Sequence, residues 1–79
     1  MKVRIKLYGT LSKSCTDYDP KTGIEMEIPD DTRVGDLLEK LNISQTSIGL
    51  VSMDETLVKA GDRVLDGSEV KFFQPISGG

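Results

Sequence analysis

This sequence has no histidine, no tryptophan and a single cysteine, Cys15. The first absence removes the commonest general base and the commonest metal ligand together. One thiol excludes an internal disulfide framework, a four-cysteine iron–sulfur site and any zinc site built on thiolates. Positive charge is in short supply as well: Lys and Arg number 10 against 13 Asp and Glu, for a net charge of −3. Nucleic-acid affinity comes mainly from clustered Lys and Arg, so no nucleic-acid partner is expected. No apolar run approaches the length of a membrane span, and no membrane partner is expected either. The opening Met1-Lys2-Val3-Arg4-Ile5-Lys6-Leu7 alternates charge with apolar residues, which is unlike the apolar centre of a signal peptide. With no export signal and an unpaired thiol, the expected compartment is the cytoplasm. Catalysis by this chain alone is not expected, nor is a bound metal or cofactor.

What is present describes a small folded domain. The chain has 79 residues, 37% of them hydrophobic and 29% charged. At this size a domain buries only about 60–65% of the surface its unfolded chain exposes, so the core must be efficient. Val3, Ile5 and Leu7 fall on one face of a strand, with Lys2, Arg4 and Lys6 on the other. A second alternation sets Ile24, Met26 and Ile28 inward and Glu25 and Glu27 outward. Paired antiparallel, the two strands would set a basic outer face beside an acidic one, each such pair contributing a few tenths of a kcal/mol. Their connection, Gly9 to Gly23, reads as long, polar and irregular.

Pro29-Asp30-Asp31 closes the second strand, and Thr32 stands where a helix N-cap belongs. Val34, Leu37, Leu38 and Leu41 then make one apolar helical stripe, with Asp36 and Lys40 four apart on the exposed side. Asn42 is the expected stop. A lone amphipathic helix after a hairpin must lie across the hairpin's apolar face. Ile48 to Met53 reads as a third strand, and Thr56 to Ala60 as a short strand or a turn. Leu65-Asp66-Gly67-Ser68 is a turn before a last strand, Glu69 to Gln74, with Val70 and Phe72 on one face and Lys71 and Phe73 on the other. Pro75 ends that strand because it has no N–H to donate.

Three tempting motifs fail. Asp17-Tyr18-Asp19 with Gly23 suggests a calcium loop, but the next ligand position is Lys21, the glycine falls one place late, and Ile28 stands where the bidentate acid belongs. Lys13-Ser14 suggests a phosphate-binding loop, yet the two required glycines would fall at Leu7 and Ser12. Cys15, in a polar and exposed segment beside Lys13, has no neighbour able to act as a base and reads as an ordinary loop cysteine. Phe73, exposed on the outward face of the last strand, is a candidate docking residue by its position.

The remaining feature is Gly78-Gly79. Glycine has no side chain, so a Gly-Gly end is the slimmest tail that can thread a narrow active site. From Pro75 to Gly79 it could extend about 16 Å, far enough to present a terminal carboxylate inside another protein's pocket. A frayed tail supplies the same residues, and residue types alone do not choose between the two.

Taken together, the strand–strand–helix–strand order and the Gly-Gly ending resemble the ubiquitin-like sulfur carriers of the β-grasp fold. Within that group the sequence is most similar to the MoaD/ThiS-like family, which includes the small subunit of molybdopterin synthase. The residues that carry the resemblance are Thr32-Arg33-Val34-Gly35-Asp36-Leu37-Leu38 at the helix start and Leu65-Asp66-Gly67-Ser68-Glu69-Val70 at the turn into the last strand. The closing Lys71-Phe72-Phe73-Gln74-Pro75-Ile76-Ser77-Gly78-Gly79 is the most specific of the three. Ser68 and Gln74 depart from the family pattern, which usually has an acid and the first of two prolines at these places. The loop around Cys15 to Lys21 favours the molybdopterin branch over the shortest thiamine-pathway carriers.

The resemblance implies an α+β domain over residues 1–75, a mixed sheet of four to five strands with one main helix across it, and a flexible tail over 76–79. It implies activation by an ATP-dependent adenylyltransferase of the ubiquitin-activating type. That partner would adenylate the Gly79 carboxylate, and a persulfide or sulfide would displace AMP to leave a thiocarboxylate. ATP and magnesium belong to that partner. The thiocarboxylate would then give its sulfur to a pterin precursor in the larger synthase subunit or another acceptor enzyme. Gly79 is the carrier site and Gly78 the steric requirement behind it. Gln74, Pro75, Ile76 and Ser77 form the threaded tail, and Lys71 and Phe73 belong to the partner surface. The alternatives are a thiamine-thiazole sulfur carrier, a ubiquitin-like protein modifier, and a β-grasp interaction module whose tail does nothing.

Overall fold

The computed structural model describes residues 1–15 and 18–75. Its first strand, β1 (Lys2–Leu7), follows the alternation, burying Val3, Ile5 and Leu7 and exposing Lys2 and Arg4. β2 (Ile24–Glu27) lies antiparallel beside it with Lys2 opposite Glu27 and Arg4 opposite Glu25. The Arg4 guanidinium donates to Glu25 Oε1 at 2.8 Å. Both side chains stay largely in solvent, so the pair contributes more to register than to stability.

The described residues of the connection between these strands are more ordered than its polarity suggests. Gly9–Ser14 forms a 3-10 helix that drives Leu11 into the core. Cys15 and Tyr18 pack against the same core, so the cysteine is half-buried rather than exposed. The Tyr18 hydroxyl accepts the Leu7 N–H at 2.8 Å. The loop thus buries apolar groups and supplies an acceptor to β1, both long-range effects with no local signature.

The helix α1 (Val34–Lys40) begins one residue later than Thr32 capping would place it, with Arg33 as N-cap. Thr32 is buried, and its hydroxyl and N–H both serve the preceding turn by donating to the Pro29 carbonyl, at 2.8 and 3.2 Å. Asp36 turns back to accept the Arg33 N–H at 2.9 Å, satisfying one of the donors that a helix start leaves free. Two more are taken by a distant loop: Val34 N–H donates to Asp62 O at 2.9 Å and Gly35 N–H to Ala60 O at 2.8 Å. At the other end Asn42 adopts φ 60°, the left-handed stop expected of it. Val34, Leu37 and Leu38 are buried, and Leu41 packs against the core at its margin.

After a short 3-10 turn at Gln45–Ser47, β3 (Leu50–Met53) and β4 (Thr56–Val58) form a hairpin. β3 starts later than the apolar run from Ile48 suggested. The hairpin turns on Asp54 and Glu55, with φ of 49° and 71°. Positive φ at both central residues matches the strand twist but is usually met by Asn-Gly. The Leu65–Ser68 turn forms as expected, with Gly67 at φ 76°. It leads into β5 (Glu69–Phe73), one residue shorter than the expected Glu69 to Gln74.

The sheet order is β2-β1-β5-β3-β4, with β1 and β5 parallel at its centre and the other pairs antiparallel. This is the expected α+β arrangement, a mixed sheet with one main helix across it. Ile5, Val70, Phe72, Leu37 and Val34 have essentially no exposure and form the centre of the core, joined by Ile43 and Val64 from irregular segments. No helix among the described residues is long and apolar enough to cross a membrane.

The hairpin generates a stability prediction. An L-residue in the left-handed region costs roughly 1–2 kcal/mol, partly offset in a Gly variant by greater unfolded-state freedom. Glu55→Gly should therefore stabilise the domain by about 0.5–1 kcal/mol, read as a higher denaturant midpoint at unchanged slope. Asp54→Gly should not gain in the same way, because Asp54 Oδ1 accepts the Glu69 N–H at 3.0 Å.

Candidate functional site

The helix covers one face of the sheet and leaves the other open. Register sets out what that open face carries. Lys6 lies opposite Lys71, and Arg4 opposite Glu69, across the parallel pair; Ser52 and Leu50 lie opposite Lys71 and Phe73 across the β3–β5 pair. Leu57 on β4 faces Ser52. Alternation puts all of these side chains away from the helix.

Lys71, expected on a partner surface, lies on this face half-buried, with its ammonium 3.7 Å from Glu69 Oε1. Lys6 approaches the other carboxylate oxygen at 3.9 Å. One carboxylate between two lysines leaves the centre of the face with a net positive charge. Partly exposed pairs of this kind contribute little to stability and remain open to rearrangement by a partner's acids.

Phe73 differs from its sequence reading. It points outward as expected but is half-buried rather than exposed, because the Tyr8 ring stacks on it with centroids 4.8 Å apart and planes 12° from parallel. Tyr8 was not singled out by the sequence, since it lies past the end of β1. Leu50, 55% exposed, stands opposite Phe73, and Leu57 is 68% exposed. These two leucines are further members of the face. Leu50 precedes the buried Val51 in β3, and two adjacent apolar residues in a strand must place one on the outer side.

Gln74 and Pro75 continue from β5 at the edge of this face, both exposed. Gln74 does not project freely: its Oε1 accepts the Thr10 N–H at 2.5 Å and the Thr10 hydroxyl at 2.8 Å. Ile76, Ser77, Gly78 and Gly79 lie outside the described residues. Among the described residues no group of three or more His, Cys, Asp or Glu side chains could hold a metal ion. Apolar ring, leucines, paired lysines and emerging chain thus share one side of the molecule.

Comparison with known proteins agrees with this architecture. A model described as the ThiS family matches residues 15–79. No curated protein matches. Among solved structures, the chain is similar to SAMP1 from Haloferax volcanii, at 20% identity with both chains fully covered and a TM-score of 0.74. It is similar to a protein described as molybdopterin converting factor, subunit 1, from Pyrococcus furiosus. That likeness has 19% identity over 95% of this chain and 98% of that one, with a TM-score of 0.69. A third likeness is to a chain in the complex of subunits 1 and 2 of molybdopterin-converting factor from Helicobacter pylori, at 13% identity with both chains fully covered and a TM-score of 0.62. At these identities the shared property is the fold, a ubiquitin-like β-grasp.

Stacked aromatic pairs contribute about 0.5–1.5 kcal/mol beyond their burial. A double-mutant cycle on Tyr8→Ala and Phe73→Ala should return a coupling in that range by denaturant unfolding. A coupling near zero would mean that the two rings do not hold each other.

Proposed function

The chain belongs to the ThiS family, and from that membership we propose that it is a sulfur carrier, activated at the Gly79 carboxylate and working with partner enzymes. The observation that carries this reading is the extent of the family match, which runs past the end of β5 at Phe73 and through Gly78-Gly79. In this reading the chain supplies a reactive end and a docking face, and its partner enzymes supply the reagents.

In this reading a partner adenylyltransferase holds ATP and magnesium. A carboxylate oxygen of Gly79 attacks the α-phosphorus of ATP, and pyrophosphate leaves. Hydrosulfide then attacks the acyl carbon, a C–S bond forms, the C–O bond to phosphate breaks, and AMP leaves. A persulfide attacking in the same way gives an acyl disulfide, whose S–S bond a thiol cleaves to release the thiocarboxylate as that thiol is oxidised into a disulfide. The product thiocarboxylate is a soft nucleophile, which a carboxylate is not. Gly78 keeps the approach to the reacting carbon narrow, because any side chain there would widen the thread. Gln74, Pro75, Ile76 and Ser77 connect that end to the sheet. Phe73, with Tyr8, Leu50 and Lys71 around it, offers a partner both an apolar contact and positive charge. For the acceptor we propose the molybdopterin branch, supported by the likeness to molybdopterin-converting-factor subunits, one of them solved together with its second subunit.

One specific observation favours a second reading. The SAMP1 likeness includes a structure described as small archaeal modifier protein 1. A modifier would use the same activated Gly79 but pass its acyl group to lysine amines on other proteins, releasing AMP and forming an amide.

The test is the intact mass of the chain after incubation with its activating enzyme, ATP, magnesium and a sulfur source. Replacement of one oxygen by one sulfur at Gly79 is the expected outcome. Addition of a whole sulfur atom would instead place a persulfide on Cys15. Higher-mass conjugates would favour the modifier. Deleting Gly79 should abolish sulfur transfer and leave the melting temperature unchanged; undiminished delivery by the truncated chain would rule the carrier out. Gly78→Val should slow adenylation at unchanged thermal stability.

A further inference from the structure

The chain leaves β5 between two glycines. Gly9, at φ 65°, lies beneath the Gln74 side chain, whose carboxamide fills the space a Cβ would occupy. Gly49 lies on the other side. A Cβ there would stand 2.7 Å from Pro75 Cα and 2.9 Å from the Gln74 carbonyl oxygen, closer than side-chain carbons approach backbone. The Gly49 N–H donates to the Phe73 carbonyl at 2.8 Å. The reasons for glycine differ: Gly9 adopts a left-handed backbone, whereas Gly49 does not and is small for space alone. Between them, Gln74 Oε1 accepts both Thr10 donors, the backbone N–H and the hydroxyl.

We propose that Thr10, Gln74 and Gly49 form a seat that fixes the direction in which the chain leaves the sheet, which makes Thr10 and Gln74 positioning residues for the Gly78-Gly79 end. The consequence for activation rests on the carrier reading; the seat itself does not. Among the described residues, Gln74 and Pro75 lie past the end of β5 at Phe73, and a chain unheld at such a root samples many directions, of which a partner's pocket accepts few. Holding the root in one direction removes part of that ordering cost before the encounter. The seat acts from both sides. Thr10 draws the Gln74 side chain toward the 3-10 helix, and the absence of a Cβ at Gly49 lets the Gln74–Pro75 backbone pass close to the start of β3.

Two readouts test this on the full chain. Amide exchange reads the seat without any partner: Gln74→Ala should speed exchange at the Thr10 N–H by about 5-fold or more, since it removes that donor's acceptor. Activation with the adenylyltransferase, ATP and magnesium reads the consequence. Gln74→Ala should lower kcat/KM by about 3- to 10-fold, through KM for this chain, at unchanged melting temperature. Thr10→Val should show part of that loss, and Thr10→Ser, which keeps the hydroxyl donor, should restore wild-type KM. The double variant Thr10→Val/Gln74→Ala should be no worse than Gln74→Ala, because both remove one interaction. Gly49→Ala should also raise KM and shift the Thr10 amide resonance, from a position that makes no hydrogen bond to Gln74. Thr10 exchange that ignores Gln74→Ala overturns the seat, whatever the enzyme does. Changed exchange with unchanged KM, or additive losses in the double variant, overturns the positioning role. A wild-type chain that is not activated at all sinks the carrier reading and with it the positioning role, and leaves the seat to stand or fall on Thr10 exchange.

Discussion

The parallel pairing of β1 with β5 is the constraint on which the rest of the structure depends. Leu7 lies opposite Phe72, and Ile5 opposite Val70, at the centre of the sheet. Antiparallel neighbours can be joined by a tight turn, but parallel ones need a long crossover. Everything between these strands is that crossover: β2 folds back to one side, α1 passes across the apolar face, and the β3–β4 hairpin extends the other side. The residues at the pair's interior face have essentially no exposure, so the first and last segments of the domain share its best-packed region. Such a pairing is non-local, and its loop-closure entropy must be offset by the core it creates.

The same pairing decides what stands beside the departing chain. Strands that run parallel end at the same edge. The segment after β1 therefore lies next to the segment after β5, which stacks Tyr8 on Phe73 and places Thr10 within reach of Gln74. An antiparallel pairing would put these residues at opposite ends of the sheet. The aromatic stack and the Gln74 contacts are thus consequences of topology as much as of side-chain chemistry. Because the helix occupies only one face, the other is left with Phe73, Leu50 and Leu57 around a lysine-rich centre.

Some of this was legible residue by residue. The alternations at Val3-Ile5-Leu7 and Ile24-Met26-Ile28 identify strands because their side chains repeat every second residue, and their opposite charges anticipate the Arg4–Glu25 contact. The Val34-Leu37-Leu38-Leu41 stripe identifies the helix, and Asn42 its end. Other features left no local trace. Thr32 looks like a cap but spends its hydroxyl on Pro29 O, and the helix start is completed by carbonyls of Ala60 and Asp62, which are remote in sequence. Leu11 and Cys15 sit in a polar stretch, yet the 3-10 helix turns them toward the core. The Asp54-Glu55 turn lacks the glycine by which such turns are usually read.

What the sequence determined by itself was local. Periodicity, turn residues and the family-like segments ending in Gly78-Gly79 specify an α+β domain and a candidate reactive end, because each depends on side chains a few residues apart. The tertiary structure decided which strands meet and in which direction, and hence that Phe73 is covered by Tyr8, that Leu50 and Leu57 share its face, and that Gln74 is held by Thr10. These are contacts between residues far apart in the chain. They exist only once the parallel pair has formed and closed the long crossover between them.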